Sequence, residues 1–104
     1  MITAVVQFSL PAPVSRERAR ELFLGTAPRY RGTAGLIRKY YLLSEDGSTA
    51  GGVYLWKSRE DAERMYTAEW KQFVSKTYGA PPRLQYFETP VVVDNLAGTV
   101  SDDR

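Results

Sequence analysis

LIRKYYLLSEDGSTAGGVYLWK (residues 36–57) consists of two apolar and aromatic runs on either side of a polar turn. Runs of this composition, bounded by turn residues, indicate β-strands, here residues 36–43 and 49–57. The turn contains Asp46-Gly47, a dipeptide that is typical of two-residue hairpin turns with positive φ values. The segment therefore predicts a β-hairpin, the strongest local feature of the chain.

The turn also predicts which residues face each other across the hairpin. Pairing Glu45 with Ser48 places Gly52 opposite Tyr41, so that the ring can lie across the strand glycine, and a longer symmetrical loop gives the same pairing. A strand glycine can equally leave room for a ligand near the backbone, and both interpretations stay open here. Because side chains alternate along a strand, one face of the hairpin is aromatic and the other mainly aliphatic. The aromatic face holds Ile37, Lys39, Tyr41, Tyr54 and Trp56, and the other holds Leu36, Arg38, Tyr40, Leu42, Val53 and Leu55.

The chain before the hairpin predicts a strand followed by a helix. Residues 2–10 are rich in β-branched and aromatic types and end at prolines, which is typical of a strand. Ser15 is placed as the N-cap of a helix over residues 16–27. Pro28 is expected to end or kink this helix, because it cannot donate to the carbonyl four residues back.

The chain after the hairpin predicts a second helical segment and a closing strand. Ser58 marks the start of the helical segment over residues 59–78. Its apolar face drifts near Thr67, so a bend or two shorter helices are expected. Residues 83–95 then form a strand that Pro90 splits in two.

The resulting order of elements is β-α-β-β-α-β, the ferredoxin-like α+β plan with a four-stranded antiparallel sheet and two helices on one face. A single domain is expected over residues 1–95, and residues 96–104 are interpreted as a polar tail. The helices cover only one face of such a sheet, so the other face would expose apolar side chains. We therefore expect a second copy of the chain to cover it in a barrel-like homodimer, with the Val91 to Asn95 segment reaching across to the partner.

The composition is that of an ordinary globular protein, with 43% hydrophobic and 25% charged residues. No apolar run approaches the length of a membrane span, so a cytoplasmic location without a membrane partner is expected. The net charge of +2, without a basic block, does not favour a nucleic-acid partner.

The chain contains no cysteine and no histidine. Thiol nucleophiles, thiolate zinc sites, Ser-His-Asp triads and His-ligated metals or haems are therefore excluded, and no metal site is expected. Any acid-base chemistry must use Asp, Glu, Lys, Arg, Tyr or the substrate itself.

Convergent Tyr and Trp side chains with few other polar groups are typical of pockets for flat aromatic ligands. The residues expected to line such a pocket are Tyr41, Tyr54, Trp56, Tyr66 and Trp70. The candidate catalytic groups are the Tyr54 hydroxyl and one cation, Lys39 or Arg38, which point to opposite faces of their strand. The alternative is that the aromatic residues are core or interface material and that both cations are solvated or paired.

Three segments resemble the YdhR-like monooxygenases, a branch of the dimeric α/β-barrel superfamily: AGLIRKYYLLSEDG (residues 34–47), AGGVYLW (50–56) and PVVVDN (90–95). The similarity covers nearly the whole chain apart from its last residues. It implies a ferredoxin-like protomer and a homodimer whose sheets form the barrel. Relatives in the superfamily that form quinones in antibiotic biosynthesis use no metal, haem or flavin. Haem-degrading members depend on a histidine, which this chain lacks.

The resemblance implies a cofactor-independent monooxygenase acting on a small aromatic or polycyclic substrate, which supplies the electrons to oxygen after losing a proton. A cavity that excludes water and holds a Tyr, Lys or Arg beside a phenolate or enolate is compatible with that chemistry. One alternative is a dimer of the same fold that binds a small hydrophobic aromatic ligand without catalysis. Another is an RNA-recognition module, which shares the order of elements and carries aromatic residues on its third strand, as Tyr54 and Trp56 are here. AGGVYLWK lacks the basic residue that opens the consensus of that module.

Overall fold

The computed structural model describes residues 1–102. Its elements in chain order are β1 (Ile2–Ser9), α1 (Arg16–Tyr30), β2 (Leu36–Leu43), β3 (Thr49–Trp56), α2 (Arg59–Met65), α3 (Ala68–Tyr78), β4 (Arg83–Glu88), β5 (Val91–Asp94) and β6 (Thr99–Asp102). An antiparallel sheet forms in the order β2-β3-β1-β4, and β5 pairs with β6 in a separate two-stranded sheet. The ferredoxin-like α+β prediction is therefore confirmed.

The core lies between one face of the four-stranded sheet and the helices. Alternation along β1 points four side chains into this layer, where they are buried: Ile2, Ala4, Val6 and Phe8. They belong to one apolar cluster with Ala62 of α2 and with Trp70 and Val74 of α3. Within residues 1–102 no helix packs on the opposite face of the sheet.

None of the helices in the described part of the chain is both long and apolar enough to cross a membrane.

Helix α1 begins where the sequence predicts and ends later than expected. The Ser15 hydroxyl accepts a hydrogen bond from the backbone N–H of Arg18 at 3.1 Å, which confirms the N-cap. Of the two outcomes expected at Pro28, an end of the helix is wrong, because α1 continues to Tyr30, and a kink stays a prediction. Tyr30 is buried and its hydroxyl accepts a hydrogen bond from Nε1 of Trp70 at 3.0 Å. This tertiary anchor holds the last turn although the proline removes one backbone donor.

The second helical segment is divided into two helices, α2 and α3, which is one of the two outcomes that the sequence predicts. The Thr67 side chain accepts from the backbone N–H of Trp70 at 3.2 Å and so caps α3. Gly79 ends α3 in the left-handed region with a φ of 80°, where a residue without Cβ is favoured.

The hairpin of β2 and β3 has the predicted register over most of its length, with Gly52 opposite Tyr41 and Lys39 opposite Tyr54. The prediction is wrong at its open end. A bulge between Leu36 and Arg38 pairs Trp56 with Leu36, so Leu36 packs against the core and Ile37 is exposed. One additional residue in a strand inverts the facing of the side chains that precede it.

The turn itself is longer than the two-residue form. Ser44 and Thr49 are bonded at its base, and Gly47 alone has a positive φ, of 74°. The Asp46 carboxylate accepts from the Ser44 hydroxyl at 2.7 Å and from the backbone N–H of Ser48 at 3.0 Å. These bonds stabilise the wider loop, since a short carboxylate side chain can bond its neighbouring backbone.

Pro90 separates β4 from β5, which confirms the predicted split. The structure differs from the expected polar tail over residues 96–104, because Thr99–Asp102 return as β6 beside β5. The turn is closed by Asp94, whose carboxylate accepts from the N–H groups of Leu96 and Ala97 at 3.0 and 3.1 Å. We call β5, this turn and β6 the C-terminal hairpin. The remainder of the predicted tail, residues 103–104, lies outside the described residues, and the domain limit at residue 95 stays a prediction.

Candidate functional site

Four of the five predicted pocket residues meet in the core, on the sheet face that the helices cover. Tyr54 and Trp56 reach it from β3, Trp70 reaches it from α3, and Tyr66 reaches it from the link between α2 and α3. Nε1 of Trp56 donates to the Tyr66 hydroxyl at 3.0 Å, and the Tyr66 ring lies 4.8 Å from that of Trp70 between centroids. Nε1 of Trp70 donates to the Tyr30 hydroxyl. The indole N–H groups of Trp56 and Trp70 therefore both have partners, as buried Trp side chains require.

This aromatic cluster is closely packed rather than hollow. The cavity beside it has a volume of about 10 Å³, which is too little for an aromatic ligand. Burial raises the pKa of Tyr54 far above its usual range, and burial also raises that of Tyr66. Both phenols therefore stay protonated at neutral pH and can act as hydrogen-bond donors but not as bases.

Lys39 lies among three tyrosine rings at the edge of the cluster. Its Nζ is 3.4 Å from the ring centroid of Tyr30, 3.7 Å from that of Tyr41 and 4.6 Å from that of Tyr54. We call these four residues the lysine cage. Within the described part of the chain Lys39 forms no ion pair. Burial lowers the pKa of Lys39 to about 7, whereas the ring faces favour the charged ammonium.

The other candidate cation is on the opposite face of the sheet. Arg38 is exposed, and its guanidinium lies 3.2 Å from the Asp94 carboxylate of the C-terminal hairpin. It also donates to the Tyr40 hydroxyl at 3.3 Å. The structure therefore brings Lys39 to the aromatic residues and places Arg38 away from them.

Gly52 has a packing role that differs in detail from the predicted one. It faces Tyr41 in the register, but the side chains over it belong to its neighbours. A Cβ added at Gly52 would lie 3.1 Å from Cε1 of Tyr54, 3.2 Å from Cε of Lys39 and 3.1 Å from the carbonyl oxygen of Tyr40. The glycine thus makes room for the lysine cage.

An open groove runs between α1 and the β2 end of the hairpin, with a volume of about 630 Å³. We call it the α1 groove. Its apolar lining is Val14, Ala19, Phe23, Leu24, Ala27, Tyr41 and Leu43, and its polar lining is Ser15, Arg16, Arg20, Ser44, Glu45 and Asp46. Of the predicted pocket residues, Tyr41 alone lies here.

Phe23 and Tyr41 form the wall between the α1 groove and the lysine cage. Their rings are stacked with centroids 4.7 Å apart, and both also line the small cavity behind them. The Tyr41 hydroxyl is hydrogen-bonded to Oγ1 of Thr26 at 2.7 Å. Burial raises the pKa of Tyr41 to about 12, so this phenol is also neutral at pH 7.

Sequence reasoning missed Tyr30 and Phe23, which both come from α1. Tyr30 follows Pro28, where the helix was expected to end, and so it was not placed on a helix face. Phe23 lies within the helix predicted over residues 16–27, where an apolar residue indicates core packing and does not distinguish a groove wall. Helix α1 therefore contributes more to the site than the hairpin pattern alone suggested.

The structure removes the feature on which the RNA-recognition alternative was based, the placement of Tyr54 and Trp56 on an open sheet face. Recognition of that kind requires aromatic rings on the open face of the sheet, where bases can stack. Tyr54 and Trp56 are buried on the helix-covered face, with exposed fractions of 3% and 0%.

Comparison with known families gives a match over most of the chain. The model of the family named "Putative mono-oxygenase ydhR" matches residues 4–87. No curated protein is significantly similar in sequence.

Comparison with solved structures gives relatives of the same fold. The ActVA-Orf6 monooxygenase of Streptomyces coelicolor, in complex with nanaomycin D, has a TM-score of 0.65 at 22% identity, over 85% of this chain and 86% of that one. SnoaB, a cofactor-independent oxygenase from Streptomyces nogalater, has a TM-score of 0.63 at 14% identity, over 85% and 91%. An antibiotic biosynthesis monooxygenase from Deinococcus radiodurans, named as putative, has a TM-score of 0.65 at 14% identity, over 90% and 97%. At these identities the likeness concerns the fold.

Proposed function

Because the chain belongs to the family of the putative mono-oxygenase ydhR, we propose that it is a cofactor-independent monooxygenase that oxidises a small aromatic or polycyclic substrate with molecular oxygen. The observation that carries the proposal is the lysine cage: a cation held among aromatic rings, without a carboxylate partner among residues 1–102, in a chain that has no histidine. The fold relatives support it, since one is a cofactor-independent oxygenase and another is a monooxygenase in complex with the ligand nanaomycin D.

The proposed reaction needs only the substrate and oxygen. A phenol or enol of the substrate loses a proton, and the Lys39 ammonium stabilises the resulting oxyanion. The substrate anion gives electrons to oxygen and a carbon–oxygen bond forms. The resulting peroxide anion takes back one proton, equivalent to the one lost by the substrate, and the hydroperoxide then loses water to leave a carbonyl. A ring CH₂ and O₂ are thereby converted to C=O and H₂O. The substrate supplies all the electrons, so no external reductant is required.

Within this proposal the residues have different roles. Lys39 is the cation that contacts the oxyanion, and Tyr41 is the ring that a substrate in the α1 groove meets first. Tyr54, Trp56, Tyr66 and Trp70 form the rigid apolar surroundings that exclude water and strengthen the charge interaction. Arg38 is not part of the reaction, since it lies on the other face of the sheet.

We also propose that a second copy of the chain covers the open face of the sheet. Large apolar side chains are exposed on this face and on the C-terminal hairpin, among them Tyr40, Phe87, Val91 and Val93. Apolar surface of this extent is typical of an interface. The Arg38–Asp94 ion pair holds the C-terminal hairpin against the sheet, where it would form part of that interface.

The test is oxygen uptake by the purified, metal-free and flavin-free protein with a panel of anthrones and hydroquinones. We expect the product to gain one oxygen atom from labelled O₂, and Lys39→Met to reduce kcat by about ten-fold or more. The matched control is Lys57→Met, because Lys57 is exposed and outside the cage. Equal turnover by both variants would remove Lys39 from the mechanism, and no uptake across the panel would refute the activity.

A second candidate is a non-catalytic protein that binds a small aromatic ligand. The cavity volumes favour it, because the cavity between the lysine cage and the core holds only about 10 Å³, whereas the α1 groove is open. This candidate would be supported over the oxygenase if the protein binds the ligand without oxygen uptake. In that case Lys39→Met should change neither the affinity for the ligand nor the absence of oxygen uptake.

A further inference from the structure

We infer that the α1 groove is a binding subsite for a planar polycyclic aromatic acid, with the rings on its apolar lining and the carboxylate at Arg16 and Arg20. The inference rests on the proposed function and names the class of substrate that the site would take. It concerns a surface that the predicted pocket residues, apart from Tyr41, do not reach.

The size and lining of the α1 groove suit a ligand of several fused rings. Its volume of about 630 Å³ is within the range of small-molecule sites, about 300 to 1,000 Å³. The lining is largely aliphatic and aromatic, with the Phe23–Tyr41 stack at its inner end. Leu24 on its rim is 54% exposed, which leaves apolar surface that a flat ligand would cover.

The charges around the α1 groove favour an anion on the α1 side. Arg16 and Arg20 are four residues apart on α1 and so lie on one face of the helix. Neither has an ion pair or a side-chain hydrogen bond within residues 1–102, whereas Arg18 between them is paired with Glu21. Two unpaired guanidinium groups beside an apolar surface are matched by one carboxylate.

The hairpin side of the α1 groove carries the opposite charge. Asp46 is already bonded to Ser44 and Ser48, and these hydrogen bonds lower its pKa to about 2, so it remains an anion. Glu45 is exposed beside it. Both repel a carboxylate, and the ligand would therefore bind in one orientation, with its acid group towards α1 and away from the turn.

The inner end of the α1 groove leads to the lysine cage. A ligand ring against Tyr41 is separated from Lys39 by that one ring, whose centroid is 3.7 Å from Nζ. Rotation of Tyr41, with loss of its hydrogen bond to Thr26, would join the two spaces. The ring farthest from the carboxylate is then the one presented to Lys39.

The experiment is isothermal titration with anthraquinone-2-carboxylate and anthraquinone-2-carboxamide. A quinone is already oxidised, so binding is measured without turnover. We expect the acid to bind at least about ten-fold more tightly than the amide, and the Arg16→Gln/Arg20→Gln double variant to lose that preference. Arg18→Gln is the matched control and should retain it, while Glu45→Gln should increase it. Equal binding of acid and amide by the unmodified protein would overturn the inference.

Two further results separate this inference from the proposed function. Backbone amide shifts on adding the acid should concentrate at Ala19, Phe23, Ala27 and Leu43, and shifts at the Lys71–Pro82 surface instead would refute the subsite. If the acid binds as expected but anthrone-2-carboxylate consumes no oxygen, the subsite stands and the oxygenase fails. If anthrones are oxidised with the same KM for acid and amide, the oxygenase stands and the subsite fails.

Discussion

Gly52 of β3 lies directly against the aliphatic part of Lys39 on the neighbouring strand, so that a Cβ added to the glycine would stand 3.2 Å from Cε of the lysine. The glycine therefore determines where the ammonium can lie among the tyrosine rings. Gly51, its neighbour, has a different cause: a Cβ there would overlap the carbonyl oxygen of Val6 on β1. Gly52 thus leaves room for the lysine cage, and Gly51 allows the close approach of β3 to β1.

Replacement of Gly52 by alanine should destabilise the protein and displace Lys39. The added methyl meets Tyr54, Lys39 and the backbone oxygen of Tyr40 at 3.1 to 3.2 Å, and the backbone atom cannot yield. Overpacking of this kind costs about 1 to 3 kcal/mol of unfolding free energy, measurable by urea denaturation. Gly25→Ala is the control, because the added methyl has no atom within 4 Å other than those of its chain neighbours and its own helix backbone, and alanine favours the helix. Equal stability of Gly52→Ala and the unmodified protein would contradict this packing.

The pH dependence of stability should report on Lys39. Its folded pKa is about 7, below the ordinary value of 10.5, so between these values the unfolded chain binds more protons than the folded one. The unfolding free energy contributed by this residue therefore rises with pH across that window and is level below it. Urea denaturation of the unmodified protein and Lys39→Met at about pH 6 and about pH 9 measures the difference. The prediction would be contradicted if the free energy of unfolding of Lys39→Met, relative to that of the unmodified protein, increased with pH.

Removal of the Tyr66 hydroxyl should leave a buried indole without its acceptor. Nε1 of Trp56 donates to that hydroxyl at 3.0 Å, and Trp56 is fully buried. We expect Tyr66→Phe to lower the unfolding free energy by about 1 to 3 kcal/mol. Tyr86→Phe removes a hydroxyl for which no hydrogen bond is found within residues 1–102, and it should change stability by less than about 0.5 kcal/mol. If both variants lose the same amount, the indole contact is not the cause.

A charge on the C-terminal hairpin should separate the proposed dimer. Val93 is 64% exposed in the single chain, and in the dimer it would be covered by the partner. Val93→Asp should therefore give a monomer by light scattering, with unchanged secondary structure by circular dichroism, because an unpaired buried charge opposes association. Ala68→Asp, at an exposed position of α3, should leave the dimer intact. A monomer for the unmodified protein at micromolar concentration would refute the dimer itself.

Much of the fold could be predicted because its signals are local. The caps at Ser15 and Ser58, the end of α3 at Gly79 and the break at Pro90 each act within a few residues of themselves. At two further positions, side-chain contacts decided between outcomes that the sequence left open. Pro28 lies inside α1, since Tyr30 is held from outside the helix by Trp70. Asp46-Gly47 forms a wider loop, since the Asp46 side chain bonds the neighbouring serines.

The site was less predictable than the fold. Tyr54, Trp56, Tyr66 and Trp70 meet in the core, but a pattern of aromatic residues in a sequence does not distinguish a lined cavity from a filled one, so their role in a pocket stays a prediction. That difference depends on how closely side chains from separate elements approach, and here they leave about 10 Å³. The choice between Lys39 and Arg38 likewise required knowledge of which sheet face the helices cover.

Taken by itself, the sequence determined the order of the elements, most of the hairpin register and the family, because alternation, capping and turn chemistry are properties of neighbouring residues. Tertiary structure alone decided that Tyr30 completes the lysine cage, that Leu36 replaces Ile37 beside the core, and that a groove of about 630 Å³ opens beside α1. These features arise where α1 packs on the sheet. This packing depends on many weak contacts between residues that are far apart in the sequence, so no short stretch of sequence determines it.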